Sequence, residues 1–138
     1  ALLNVYAKDK KDVKPTYKAL KAEAKDYDVY LSKNIPKAWH YNKKNDTYNR
    51  VGDIILIPQL PKVFNINNNQ PDAGQHGFDP SIKDMHAIFY AWGPNFKSGF
   101  RMPAFKNVNV YPLIAKILGL TYTQKIDGNE KVATQILK

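Results

Sequence analysis

Apolar positions along this 138-residue chain change their spacing from one segment to the next. The opening "ALLNVYA" is a short apolar run and predicts a buried strand. In "DVKPTYKALKAEAKDY" the spacing becomes helical: Tyr17, Leu20 and Ala24 recur at steps of three and four. Lys14, Lys18, Lys21 and Lys25 repeat on another face, where a solvated helix surface is the simplest reading and an anion-binding rail the alternative. Asp12 stands in position to cap this helix, and Pro15 falls in the first turn, where its missing N–H costs nothing. "DVYLS" then reads as a second strand, completing a strand–helix–strand unit.

The middle of the chain is less regular. "NIPKAWHYNKKNDTYNRVG" allows one helical turn, around Pro36 to His40. "DIILIPQL" predicts a buried strand with "KVFNI" as a possible pairing partner, while Pro58 and Pro61 argue for an edge or a bend. The Asn-rich stretch 65–72 predicts a loop, and "HAIFYAWG" another strand, ended by Gly93-Pro94. "GFRMPAF" reads as extended. "VNVYPLIAKILGL" predicts an amphipathic helix capped by Asn109, with Pro112 in its first turn and Gly119 closing it. The tail from Thr121 carries no strong pattern and is expected to drape over the body. With no internal repeat and no linker, the reading is a single domain over 1–138, an α/β body carrying antiparallel excursions. Several strands look built to be central in a sheet larger than this chain supplies.

Composition removes some function classes. At 43% hydrophobic the chain is globular, and no run approaches the roughly 18 apolar residues of a membrane span. The N-terminal stretch does not read as a signal peptide, because its apolar run is short and charge follows it. Cysteine is absent, which excludes disulfides, thiolate metal sites and a cysteine nucleophile. The net charge of +9 suits an anionic partner, but only two of the 21 basic residues are arginine, Arg50 and Arg101. Specific phosphate and base recognition leans on arginine's planar fork, so no specific nucleic-acid binding is expected.

The chemistry-bearing candidates are His40, His76 and His86. His40, within "AWHY", reads as a packed or hydrogen-bonded structural residue, and His86 as the start of the following strand. His76 differs, because "GQHGFDP" sets it in a loop with glycine close by on both sides, leaving its ring accessible. Asp79 is near enough to orient it as a metal ligand. His76, Asp79, Asp84 and His86 could in principle gather, but their spacing matches no helical H-x-x-x-H pair, and zinc wants three or four protein ligands. There is no G-x-S-x-G elbow, Walker loop or G-x-G-x-x-G.

Three blocks resemble the nucleotide pyrophosphatase/phosphodiesterase family of the alkaline phosphatase superfamily, in the family's order. "YKALKAEAKDYDVYLSKNIPKAWHY" followed by "NRVGDIILIP" is similar to its helix, Val-Tyr-Leu strand and Arg-x-Gly-x-Ile segment. "GQHGFDPSIKDMHAIFYAWGPNFK" resembles its Gly-x-His-Gly-Tyr/Phe-Asp motif and the following Met-His-x-Ile-Phe and Gly-Pro-x-Phe. "FKNVNVYPLIAKILGL" resembles its Val-Asp-Val-Tyr-Pro-Leu helix. The middle block is the specific one. Pro80 stands where Asn is frequent, and "IPQLPKVF" departs from the family's usual continuation, which leaves the substrate subclass open.

The resemblance implies the C-terminal part of a catalytic domain: a portion of an alkaline-phosphatase-like α/β/α sandwich, so that 1–138 is a single partial domain. It implies an enzyme that uses two zinc ions and a threonine nucleophile to hydrolyse phosphodiester or pyrophosphate bonds, with His76 as one zinc ligand. The remaining ligands and the threonine belong to family motifs that this chain does not contain, so its partner would be the N-terminal remainder of the same domain. The substrate class implied is a phosphodiester or nucleotide small molecule, and the setting periplasmic or extracellular. By itself the chain is expected to be inactive. A basic anion-binding module, or a structural fragment without its own activity, is the competing reading.

Overall fold

The run Ile54-Ile55-Leu56-Ile57 forms the middle of a sheet. The computed structural model describes residues 2–67 and 70–138, which fall into two units, Ala1–Ala87 and Ile88–Lys138. In the first unit, β1 (Leu3–Val5), β2 (Tyr27–Leu31) and β3 (Ile54–Pro58) make an antiparallel sheet in the order β1-β3-β2. Leu3 faces Leu56 and Val5 faces Ile54 on one side of β3; Tyr27 faces Pro58 and Leu31 faces Ile54 on the other.

Because side chains alternate along a strand, β3 feeds two cores. Ile54 and Leu56 join Val29 beneath the helix α1 (Val13–Glu23), which contributes Val13, Tyr17 and Leu20, with Ala24 just past its end. Ile55 and Ile57 pack on the opposite face with Ile35 and Val51, bordered by Tyr30, Trp39 and Tyr41. A strand buried on both faces has no polar side to show, which is why its sequence is continuous rather than alternating. Each of these aliphatic side chains contributes on the order of 1.5–3 kcal/mol through burial.

The proline argument for an edge strand is corrected here. β3 is central, and Pro58 is tolerated because it is the last residue of the strand, where one missing N–H ends the ladder. The bend is present beyond it, where Lys62 N–H donates to the Gln59 carbonyl at 2.8 Å. "KVFNI" does not pair with β3; Phe64 instead packs edge-on against Tyr27, with ring centroids 5.5 Å apart. β1 is half-buried rather than buried, since it is an outer strand. Asp12 does not cap α1 with its side chain. It closes a 3-10 turn, Lys10–Asp12, and its backbone is already helical, the wrong conformation for a capping side chain. Gly52 is required by packing, because a β-carbon there would lie 2.9 Å from the Val5 carbonyl oxygen.

The second unit is built on two short helices, α2 (Val110–Ile117) and α3 (Lys131–Ile136). Leu113 of α2 meets Val132, Ala133 and Ile136 of α3, with Phe96, Met102 and Phe105 around them. Gly119 closes α2 at φ +65°, as the sequence predicts. Asn109 precedes the helix but makes no side-chain cap; its Oδ1 accepts the Asn129 N–H at 2.9 Å, tying the chain ahead of α3 to the start of α2. The tail therefore does not drape. It folds as α3, with Asn129 Oδ1 accepting the Lys131 N–H at 3.0 Å.

The strand expected at "HAIFYAWG" is absent. Residues 87–92 make no backbone hydrogen bond among the described residues, and Ile88, Tyr90 and Trp92 are 80%, 80% and 85% exposed. Only Phe89 is anchored, edge-on against Phe105 at 5.1 Å. The segment has strand composition and no neighbouring strand in its unit to pair with. The loop predicted over 65–72 has no regular structure at its described positions; Asn68 and Asn69 lie outside the described residues.

Candidate functional site

His76 is exposed, on a loop whose C-terminal side is fixed residue by residue. Gly77 takes φ +87°, a left-handed conformation that an L side chain adopts only with strain, and this is the reason for glycine directly after the histidine. Phe78 is buried. Asp79 accepts the Ser81 N–H at Oδ1, 2.8 Å, and its carboxylate also receives the Ser81 hydroxyl and the Trp39 indole N–H. Gly74, by contrast, has no left-handed backbone and open space around its α-carbon, so nothing among the described residues requires glycine there.

The footing of the loop is aromatic and acidic. Trp39 sits in the 3-10 turn Lys37–Trp39 and packs edge-on against Tyr30, ring centroids 5.6 Å apart. Hydrogen bonds from the Ser81 backbone, the Ser81 side chain and Trp39 hold the Asp79 carboxyl below the usual range. Burial pushes the Tyr30 phenol up, helped by the negative charges of Asp28 and Asp79. The Asp79 contribution to stability is therefore complete above an unfolded carboxylate pKa of about 3.9 and is lost as pH falls through the lower folded value. Trp39 emission is expected to change only below about pH 4, and Asp79→Asn to abolish that step while lowering stability at pH 7 by about 1 kcal/mol, since the carboxylate is partly exposed. Fluorescence-detected acid titration of both proteins checks it; an identical acid transition in the variant would contradict the role given to Asp79.

His40 and His86 each close a 3-10 turn. His40 is exposed rather than packed between its aromatic neighbours; it ends the Lys37–Trp39 turn at φ +51°, its N–H donating to the Lys37 carbonyl at 3.2 Å. His86 starts no strand. It closes the 3-10 turn Lys83–Met85 through its N–H to the Lys83 carbonyl at 2.9 Å. Among the described residues no three His, Asp or Glu side chains gather into a metal-binding group, so His76, Asp79, Asp84 and His86 do not form one. Zinc takes three or four protein ligands, so the described donors do not by themselves fit a zinc coordination sphere. An open depression of about 410 Å³ lies along His40, Tyr41, Asp46, Tyr48 and Arg50, with the Arg50 guanidinium stacked 4.7 Å from the Tyr48 ring centre. Sequence reasoning did not single it out, and His76 does not line it.

The type I phosphodiesterase / nucleotide pyrophosphatase profile matches residues 1–79, more than half of the chain. The chain belongs to that family. It is 31% identical over 110 residues to the bis(5'-adenosyl)-triphosphatase enpp4 of Xenopus laevis, covering 80% of this chain and 24% of the relative. With the venom phosphodiesterase of Macrovipera lebetinus it shares 38% identity over 96 residues, 68% of this chain and 11% of that protein. The solved structure of human ectonucleotide pyrophosphatase / phosphodiesterase 5 superposes with a TM-score of 0.81 at 25% identity, over 98% of this chain and 35% of the other. This family member is thus an α/β portion of an alkaline-phosphatase-like fold, and it spans about a quarter of the length of the curated relatives it matches. The profile match ends at Asp79, within the His76 loop.

Proposed function

We propose that this chain is the part of a phosphodiesterase/nucleotide pyrophosphatase catalytic domain that carries His76 as one ligand of one of two zinc ions, in an enzyme hydrolysing phosphodiester or pyrophosphate bonds. The observation that carries the reading is the His76 loop: an exposed imidazole followed by a left-handed glycine, a buried phenylalanine and a carboxylate tied to Trp39 and Ser81. Such anchoring fixes where the backbone of the loop runs without occupying the ring in core packing. Zinc, when bound, supplies Lewis-acid charge to the phosphoryl oxygens. The chain's own part is narrower: His76 offers an imidazole nitrogen, and Trp39, Asp79 and Ser81 keep its loop in place.

The partner this requires is the remainder of the same catalytic domain. The chain covers about a quarter of its relatives, and apolar side chains of its second unit are exposed: Ile88, Tyr90 and Trp92, and Ile114 of α2 with Leu118 just past the helix end. A strand-like segment whose backbone groups have no backbone partner among the described residues is suited to pairing with further polypeptide. Nucleotide or other phosphodiester small molecules are the proposed substrates, because relatives are named as bis(5'-adenosyl)-triphosphatase and as venom phosphodiesterase. Their names also support an extracellular setting. No helix of the described residues is long and apolar enough to cross a membrane.

The purified 138-residue chain, given zinc and bis(4-nitrophenyl) phosphate, is expected to show no hydrolysis above the rate of zinc alone. Turnover that tracks the protein through purification and is removed by a chelator would overturn the division of the site between this chain and further polypeptide.

A further inference from the structure

The α1 helix segregates its charges, and the phosphodiesterase reading makes no use of this. At about 100° per residue, Lys14, Lys18 and Lys21 fall within about 60° of one another around the axis. Lys10 and Lys11, in the 3-10 turn that leads into the helix, and Lys25, just past its end, are exposed as well. Glu23 in the helix and Asp12 just ahead of it fall roughly 160–180° away from Lys14, while Asp9 and Asp26 adjoin Lys10 and Lys25 at the two ends, Asp26 paired with Lys62. The apolar stripe of Val13, Tyr17, Leu20 and Ala24 is committed to the core under the sheet.

These cations are uncompensated. The ion pairs among the described residues are Lys43–Asp46, Lys62–Asp26 and Lys116–Glu130, and none involves α1. Lys21 alone has a contact, its Nζ meeting the Tyr17 hydroxyl at 3.1 Å, with no charge neutralised. From Lys14 to Lys21 the axis rises roughly 10 Å, so the row presents about one positive charge every 5 Å or less.

We infer that this face of α1 is a docking surface for a linear anionic polysaccharide, one carrying sulfate or carboxylate groups along its length. Spaced point charges on long stems suit flexible polymer anions, whose groups need no fixed orientation. Nucleic acid fits less well, because the row has no arginine fork and its one aromatic neighbour, Tyr17, is half-buried against the core and already engaged by Lys21. A membrane surface fits less well again, because this face carries no apolar side chain to insert among lipids.

Heparin is the probe, titrated into the 138-residue chain at several salt concentrations. The triple variant K14E/K18E/K21E is compared with a variant of equal charge change in the second unit, K106E/K125E/K138E. The expected result is binding of the wild type at 0.15 M salt, weakened roughly 10–100-fold by the α1 triple, with the slope of log affinity against log salt reduced by about one per lysine. The control triple is expected to weaken binding less than about threefold by comparison. K14Q/K18Q/K21Q, with circular dichroism on every variant, separates lost contacts from lost helix. Equal weakening by both triples, no binding at 0.15 M salt, or tighter binding to single-stranded DNA or to anionic phospholipid vesicles than to heparin would each overturn the inference.

Discussion

His76→Ala, made in a polypeptide that carries the complete catalytic domain, is expected to remove about one zinc equivalent per molecule and at least 100-fold of the phosphodiesterase rate. The size of the effect follows from ligand number. A site built from three or four protein donors loses several kcal/mol of metal affinity with one of them, enough to empty it at ordinary zinc concentrations. The backbone at this position should not notice, since the side chain is exposed and the loop is held by Phe78, Asp79 and Trp39. His86→Ala is the matched control: His86 serves its turn through its backbone N–H, which alanine retains. Zinc content by elemental analysis and initial rates on a chromogenic diester read both variants. A His76→Ala enzyme with full zinc and an unchanged rate would remove this residue from the proposed metal site.

Ile55→Ala is expected to cost about 2–5 kcal/mol, the second large effect. Ile55 is fully buried in the strand that both other strands pair with, and it packs with Ile35, Val51 and Ile57. Alanine leaves a cavity between the sheet and the segment above it, and the surrounding side chains relax only partly. Domains are stable by about 5–15 kcal/mol in total, so the change takes a large share. Urea unfolding followed by Trp39 emission in a Trp92→Phe background reports this unit, because Trp39 borders the same cluster. Tyr48→Ala, at an exposed position, is expected to change stability by no more than about 1 kcal/mol. An Ile55→Ala penalty below that of Tyr48→Ala would mean that β3 is not the centre of this core.

Much of the first unit could be read from residue order. The steps of three and four in Tyr17, Leu20 and Ala24 place α1 against the sheet, and "DIILIP" becomes the strand buried on both faces. The second unit was less legible. α3 is six residues long and rich in β-branched side chains, so propensity gives it little, and it exists because Val132, Ala133 and Ile136 close onto Leu113. Its one local signal is Asn129, two residues ahead of the helix, where an Asx side chain can take up the first N–H. For the site, a histidine beside glycine in a polar loop was visible. The hydrogen bonds that brace Asp79 were not, because Trp39 is 40 residues distant in sequence.

Local pattern by itself determined the elements of this protein whose stability is local: the amphipathic period of α1, the glycine that ends α2, and the unbroken apolar run of β3. It also marked His76 as the residue to follow. Tertiary structure alone decided that β3 lies between β1 and β2, that Trp39 and Ser81 meet Asp79, and that "AIFYAW" pairs with nothing in its unit. Strand order and long-range hydrogen bonds depend on which partner surface is present, and a segment with the composition of a strand remains unpaired until another backbone supplies its hydrogen bonds.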